Sequence, residues 1–148
     1  MVDNTKEKTD NEKKKEYLRD YLKHVRRIRR IETELAELRS MRTSISANND
    51  GMPRGHGKSD LSGYAAELDR LETNLCLEME QRCVAYKDIA NQINNVINEN
   101  EKDVLFYRYI KGYGWLEIAE NMNYSERWVL KLHGKALAHF QLPEEKSS

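Results

Sequence analysis

The sequence predicts an all-α protein: a long antiparallel, coiled-coil-like helical hairpin followed by a C-terminal helix-turn-helix. Three observations carry that expectation. Gly and Pro are scarce, 7 and 2 in 148 residues, so little interrupts helices built from Glu, Lys, Arg and Leu, which lose little rotamer freedom in a helix. Apolar residues recur at steps of three and four along two long runs. Residues 115–134, "WLEIAENMNYSERWVLKLHG", place small, apolar, turn and cap residues where two short helices joined by a tight turn need them.

Residues 1–15 alternate charges with no apolar period, and a disordered tail is expected there. From Tyr17 the pattern changes. Leu18, Tyr21, Leu22, Val25, Ile28, Ile31, Leu35, Leu38, Met41 and Ile45 form one narrow apolar stripe along a helix of roughly eight turns. The other faces are strongly charged, so such a helix needs a partner helix. A second stripe, through Tyr64, Ala65, Leu68, Leu71, Leu75, Met79, Tyr86, Ile89, Ile93, Val96 and Ile97, supplies one. Residues 16–97 therefore read as a hairpin with a Gly-rich tip at 46–60. Two helices make a weak core for their length, which favours a homodimer through the hairpin.

The basic run "KHVRRIRRIE" carries Lys23, Arg26, Arg27, Arg29 and Arg30. As a solvated coiled-coil face, their stems would cover the apolar seam. The other reading is contact with a phosphate backbone or an acidic partner. The formal net charge is zero, so any basic binding surface is local. Cys76 and Cys83, the only cysteines, lack metal-ligand spacing and read as small, at least half-buried hydrophobes in a reducing compartment. No apolar run is long enough for a signal peptide or a membrane span, and a cytoplasmic location without membrane contact is expected.

The tip stretch "GMPRGHGKSD" ends in Gly57-Lys58-Ser59, the ending of a phosphate-binding loop. That motif needs four residues between its glycines and an upstream strand. Here five residues separate Gly51 from Gly57, Met52 takes the position the leading Gly would need, and a charged helix lies upstream. Neither the spacing nor the scaffold fits nucleotide binding. Chain reversal remains.

Residues 98–142 carry the strongest signal. A helix over Glu101–Lys111 ends at Gly112. Beyond it, Ile118 and Met122 should face inward, with Ala119 small where backbones approach. Asn123 suits a positive φ, Tyr124 should pack the turn onto the core, and Ser125 should cap the next helix. Val129 and Leu132 are its inward positions. Gly134 costs about 1 kcal/mol in a helix, which suggests a close helix contact. Residues 143–148 read as a second tail.

A helix-turn-helix places the N-terminal residues of its second helix in the DNA major groove. Arg127 suits guanine and Glu126 the cytosine amino group. Lys131 and Lys135 suit phosphates, Ser125 caps and can donate to a phosphate, and Trp128 faces either a sugar or thymine methyl, or the protein. His133 reads as structural. The four histidines, His24, His56, His133 and His139, show neither metal spacing nor a partnered nucleophile, so no catalytic residue, metal or cofactor is expected and the chain is not read as an enzyme.

The stretch "YRYIKGYGWLEIAENMNYSERWVLKLHGKAL" resembles the fourth region of sigma-70-type factors. The order "YLRDYLKHVRRI", "GMPRGHGKSD", "YSERWVLKLHGKAL" resembles, over nearly the whole chain, the ArpU/RinA-type phage transcriptional regulators. That resemblance implies a sequence-specific regulator activating late phage genes for packaging or lysis. It also implies DNA-reading roles at or near Ser125, Glu126, Arg127, Trp128 and Lys131, with Lys135 on the backbone. Gly114 departs from the Ser or Thr cap such domains carry, and Trp128 and Leu130 depart from their basic residues, so the target sequence does not carry over. The tip loop is a signature of the family, which implies a secondary contact by Arg54, His56 and Lys58 with DNA or a partner protein. Two other classes compete. A small-terminase-like packaging component also joins a DNA-binding domain to helical oligomerisation segments, and a sigma-like accessory subunit would bind host RNA polymerase.

Overall fold

A computed structural model describes residues 3–47 and 57–144 of the chain. Among the described residues it is all-helical, with five helices and no strand: α1 (Asp3–Ala47), α2 (Gly57–Asn94), α3 (Glu99–Tyr109), α4 (Trp115–Met122) and α5 (Glu126–His139). No described helix is long and apolar enough to cross a membrane. Two compact units divide the chain, Met1–Lys23 with Cys83–Ser148 and His24–Arg82, so α1 and α2 each contribute a segment to both.

In the His24–Arg82 unit the seam is narrow. Ile31 and Leu35 of α1 are buried with Leu71 of α2, and Leu38, Leu68 and Leu75 pack around them. Ion pairs flank the apolar contacts: His24 Nδ1 lies 2.9 Å from the Glu78 carboxylate, Arg27 3.8 Å from it, and Arg39 3.7 Å from Glu72. Met79 was expected on the seam and is instead exposed. Its neighbour Glu78 takes the inward position, because that carboxylate answers His24 and Arg27. Cys76, expected at least half-buried, is exposed as well, beside the half-buried Leu75 that fills the seam. Met41 is also exposed.

The other unit is built around α3, α4 and α5, which pack against one another. Val104, Leu105, Ile118, Val129, Leu132, Ala136, Leu137 and Phe140 are buried there, with Leu18 and Tyr21 from α1 and Ala85, Ile89, Ile93 and Val96 from the second chain segment. Asn98 caps α3 by accepting from the Glu101 amide at 3.1 Å, satisfying one orphan donor of the first turn. The buried Glu101 carboxylate is in turn met by His139 Nδ1 at 2.8 Å. Gly112 ends the connection after α3 at φ +74°, where an added Cβ would meet Leu22 at 3.4 Å. The left-handed backbone calls for Gly, while the Leu22 distance is an ordinary van der Waals contact. Cys83 and Tyr86 are exposed and Ile97 is almost fully so. Ile97 escapes the seam because α2 stops at Asn94 and the chain turns through Asn95 and Val96.

Of the expected N-terminal tail over 1–15, residues 1–2 lie outside the described residues and α1 is helical from Asp3. Two contacts fall at the end of this segment. Lys15 pairs with Glu12 at 3.2 Å on the helix surface, and Lys14 Nζ donates to the Leu137 carbonyl of α5 at 2.7 Å. A segment too polar to show an apolar period thus docks through one lysine and a helix-terminal carbonyl, an interaction that composition does not reveal. The expected tip over 46–60 overlaps both helices, since α1 reaches Ala47 and α2 begins at Gly57. Residues 48–56 lie outside the described residues, as do 145–148 of the expected C-terminal tail.

Candidate nucleic-acid interface

The turn between α4 and α5 is built from three local determinants. α4 starts at Gly114, whose extended backbone (φ −71°, ψ 164°) offers no side-chain cap. It ends at Asn123, left-handed at φ 58° and ψ 40°, and the Tyr124 amide donates back to the Ala119 carbonyl at 3.0 Å. Asn tolerates that conformation better than a branched residue would. Ser125 then takes an extended backbone, and its Oγ accepts from the Trp128 amide at 3.1 Å, capping α5. Beneath the turn Ile118, Ala119 and Val129 are buried together, with Tyr107, Tyr113, Trp115 and Met122 packed against them.

With Val129, Leu132, His133, Ala136 and Leu137 buried, the rest of α5 faces out. Glu126, Arg127, Trp128, Leu130, Lys131 and Lys135 are all exposed. Arg127 and Lys131 sit four residues apart, one helical turn, and neither has an ion-pair partner among the described residues. Trp128 lies on the flank of this face. Its ring meets Tyr124 edge-on at 6.4 Å, and the Lys135 ammonium stands 5.1 Å from its centroid, a cation–π distance. Lys135 is therefore gathered onto Trp128 rather than standing free.

Tyr124 corrects its expected place on the core: it is 38% exposed and packs on Trp128. The 124/128 spacing of four would have revealed this, because aromatic rings four apart at a helix start meet on one side. Leu116, 62% exposed on α4, is a further outward residue that sequence reasoning passed over. Its signal was its position between Trp115 and Glu117, out of step with Ile118 and Met122. Gly134 is corrected too. Nothing lies within 4 Å of an added Cβ there, so no close helix contact accounts for it. Arg54 and His56 lie outside the described residues, and Lys58 falls within α2 with its side chain likewise outside them.

One buried pair stabilises the platform behind this face. The Tyr109 hydroxyl and His133 Nε2 are 2.7 Å apart, with the Trp115 ring 4.7 Å from the imidazole. Burial pushes the Tyr109 phenol up to about 12. Burial first, and then Lys15, Arg108 and Arg19, pull His133 down to about 4. Both shifts keep the pair neutral, with one hydrogen bond shared between the hydroxyl and Nε2. Because the folded value of His133 lies below its unfolded value, the unfolded chain binds the extra proton between about pH 6.5 and 4. Stability of this unit is expected to be complete above about pH 6.5. As pH drops to about 4 it should fall by roughly 2–3 kcal/mol from this residue. Urea unfolding followed by tryptophan fluorescence at several pH values checks this, and the slope should flatten in His133→Gln.

Among the described residues no group of three His, Cys, Asp or Glu side chains is placed to hold a metal ion. His24, His133 and His139 each engage a protein partner. Compared with protein-family models, curated proteins and solved structures, the chain matches none.

Proposed function

We propose that the chain is a sequence-specific DNA-binding transcriptional regulator of phage or prophage origin, which activates late packaging or lysis genes. In this reading α4 and α5 form a helix-turn-helix similar to the fourth region of sigma-70-type factors, and the long helices form an antiparallel hairpin. The observation that carries it is the outward face of α5. Arg127 and Lys131 stand side by side without carboxylate partners, directly after a capped helix start and a left-handed Asn. An unpaired guanidinium at the beginning of a helix suits bidentate contact with guanine O6 and N7, and the lysine one turn on suits a phosphate. Glu126 accepts from a cytosine amino group, and the Tyr124–Trp128–Lys135 group lies against sugar, thymine methyl and phosphate. No catalytic step is assigned.

A homodimer through the hairpin would present two such faces to paired half-sites. It is supported by exposed apolar side chains on α2, Leu77 and Met79 in one unit and Val84 and Tyr86 in the other, surface that a second copy would cover. Mass in solution separates this reading from a packaging role, because a dimer fits regulation and a ring of many copies fits a small terminase. Stable association with host RNA polymerase would support the sigma-like reading.

Selection from a pool of random duplexes tests the proposal directly. The expected result is enrichment of one motif, with Kd for it at least about a thousandfold below that for random duplex. Recovery of no motif would overturn the reading.

A further inference from the structure

Part of the basic stripe on α1 of the His24–Arg82 unit has no ion-pair partner among the described residues. Arg27 is answered by Glu78 at 3.8 Å and Arg39 by Glu72 at 3.7 Å, while Arg70 pairs with Glu67. Arg26, Arg29 and Arg30 are exposed and hold no ion pair among the described residues. Residues three and four apart on a helix are neighbours, so Arg26 faces both Arg29 and Arg30. Like charges at that spacing destabilise a helix by about 0.2–0.5 kcal/mol per pair. Glu32 and Glu34 follow at helical spacing from Arg29 and Arg30, but no carboxylate among the described residues lies within ion-pair distance of the three arginines.

We infer that Arg26, Arg29 and Arg30 form a second, sequence-independent DNA contact that binds backbone phosphates, an inference that rests on the DNA-binding reading above. Each guanidinium presents a planar fork of donors that matches phosphate oxygens. Three of them lie along little more than one helical turn, about 6 Å of rise, a spacing comparable with successive phosphates of a strand. A membrane surface fits less well. A helix that lies on lipid inserts its apolar face, whereas Ile28, Ile31 and Leu35 of α1 are already buried within the protein. The chain has zero net charge, so no global field acts in place of this local one.

The test is the salt dependence of binding by the full chain, measured by anisotropy on the enriched duplex and on a scrambled duplex of the same length. Each neutralised phosphate contributes about 0.9 to the slope of log K against log salt. R26Q/R29Q/R30Q should flatten that slope by about 2 to 3 on both duplexes. Between about 50 and about 200 mM salt, the affinity of the unaltered chain should therefore fall roughly 40-fold more than that of the variant. R26K/R29K/R30K should keep the slope, and the single R29Q should lose about 1. Gln has helix propensity near that of Arg, and unchanged circular dichroism and mass confirm that fold and assembly are intact.

An unchanged slope in the Gln variant, with the unaltered chain binding normally, overturns this inference and leaves the α5 reading standing. Loss on the enriched duplex alone also overturns it, because phosphate contacts ignore sequence. Unchanged DNA binding with lost binding to polyglutamate, or to vesicles containing anionic lipid, assigns the stripe to that partner instead. Failure of the unaltered chain to bind either duplex removes both readings together.

Discussion

Replacing Arg127 and Lys131 together with Ala is expected to weaken binding to the enriched duplex by at least about 30-fold, the sum of one base contact worth about 1–3 kcal/mol and one phosphate contact. The two single variants should behave differently. Arg127→Ala should relax preference at one base pair and leave affinity for scrambled DNA nearly unchanged, since a base-edge contact carries the sequence information. Lys131→Ala should weaken all duplexes alike and lower the salt slope by about 1. Neither change should disturb the fold. Both side chains are exposed, neither makes an ion pair among the described residues, and Ala is the better helix former. Anisotropy on the two duplexes separates the effects.

The largest effect on stability is expected at Phe140. Its side chain is fully buried at the end of α5, its amide donates to the Ala136 carbonyl at 2.8 Å, and its ring lies 6.1 Å from Tyr17 of α1. Next to it, Lys14 bonds the Leu137 carbonyl. Phe140 is thus where the N-terminal part of α1 meets the end of α5 within one unit. Phe140→Ala should cost about 3–5 kcal/mol through lost burial and the cavity left behind. Both tryptophans of the chain, Trp115 and Trp128, belong to the same unit, so fluorescence-monitored urea unfolding reports on that unit directly. A shift below about 1 kcal/mol would mean that the site collapses freely around the smaller side chain.

What was legible in the sequence was local. Asn123 declared a left-handed residue, Ser125 a cap, and Ile118, Ala119 and Val129 an inward face, because each effect is decided within one turn of chain. The all-helical class followed from the scarcity of Gly and Pro and the period of the apolar residues. What depended on distant partners was not legible. The helix over residues 3–15 is tied to α5 through Lys14, a lysine that looks like every other lysine in a charged run. Met79 follows the apolar rhythm yet faces out, because the pairing of Glu78 with His24 takes the inward position, and Cys76 faces out because Leu75 fills the seam. Tyr124 fits a turn residue that packs inward, and only the presence of Trp128 four residues on redirects it. The open space around Gly134 has no account in the packing of the chain.

These differences change how the outward side chains of α5 are grouped. Lys135 and Trp128 act as one group with Tyr124, so substitution of any one should disturb the other two, and an alanine scan there will not be additive. Arg127 and Lys131 make no ion pair among the described residues.

Protection of guanine N7 from methylation tests the central claim most directly. On the enriched duplex the unaltered chain should shield at least one guanine N7 in the major groove in each half-site. Arg127→Ala should restore methylation at that guanine at concentrations where the duplex is still fully bound. Protection that persists unchanged in Arg127→Ala, or a footprint confined to the minor groove, would contradict the placement of α5 in the major groove.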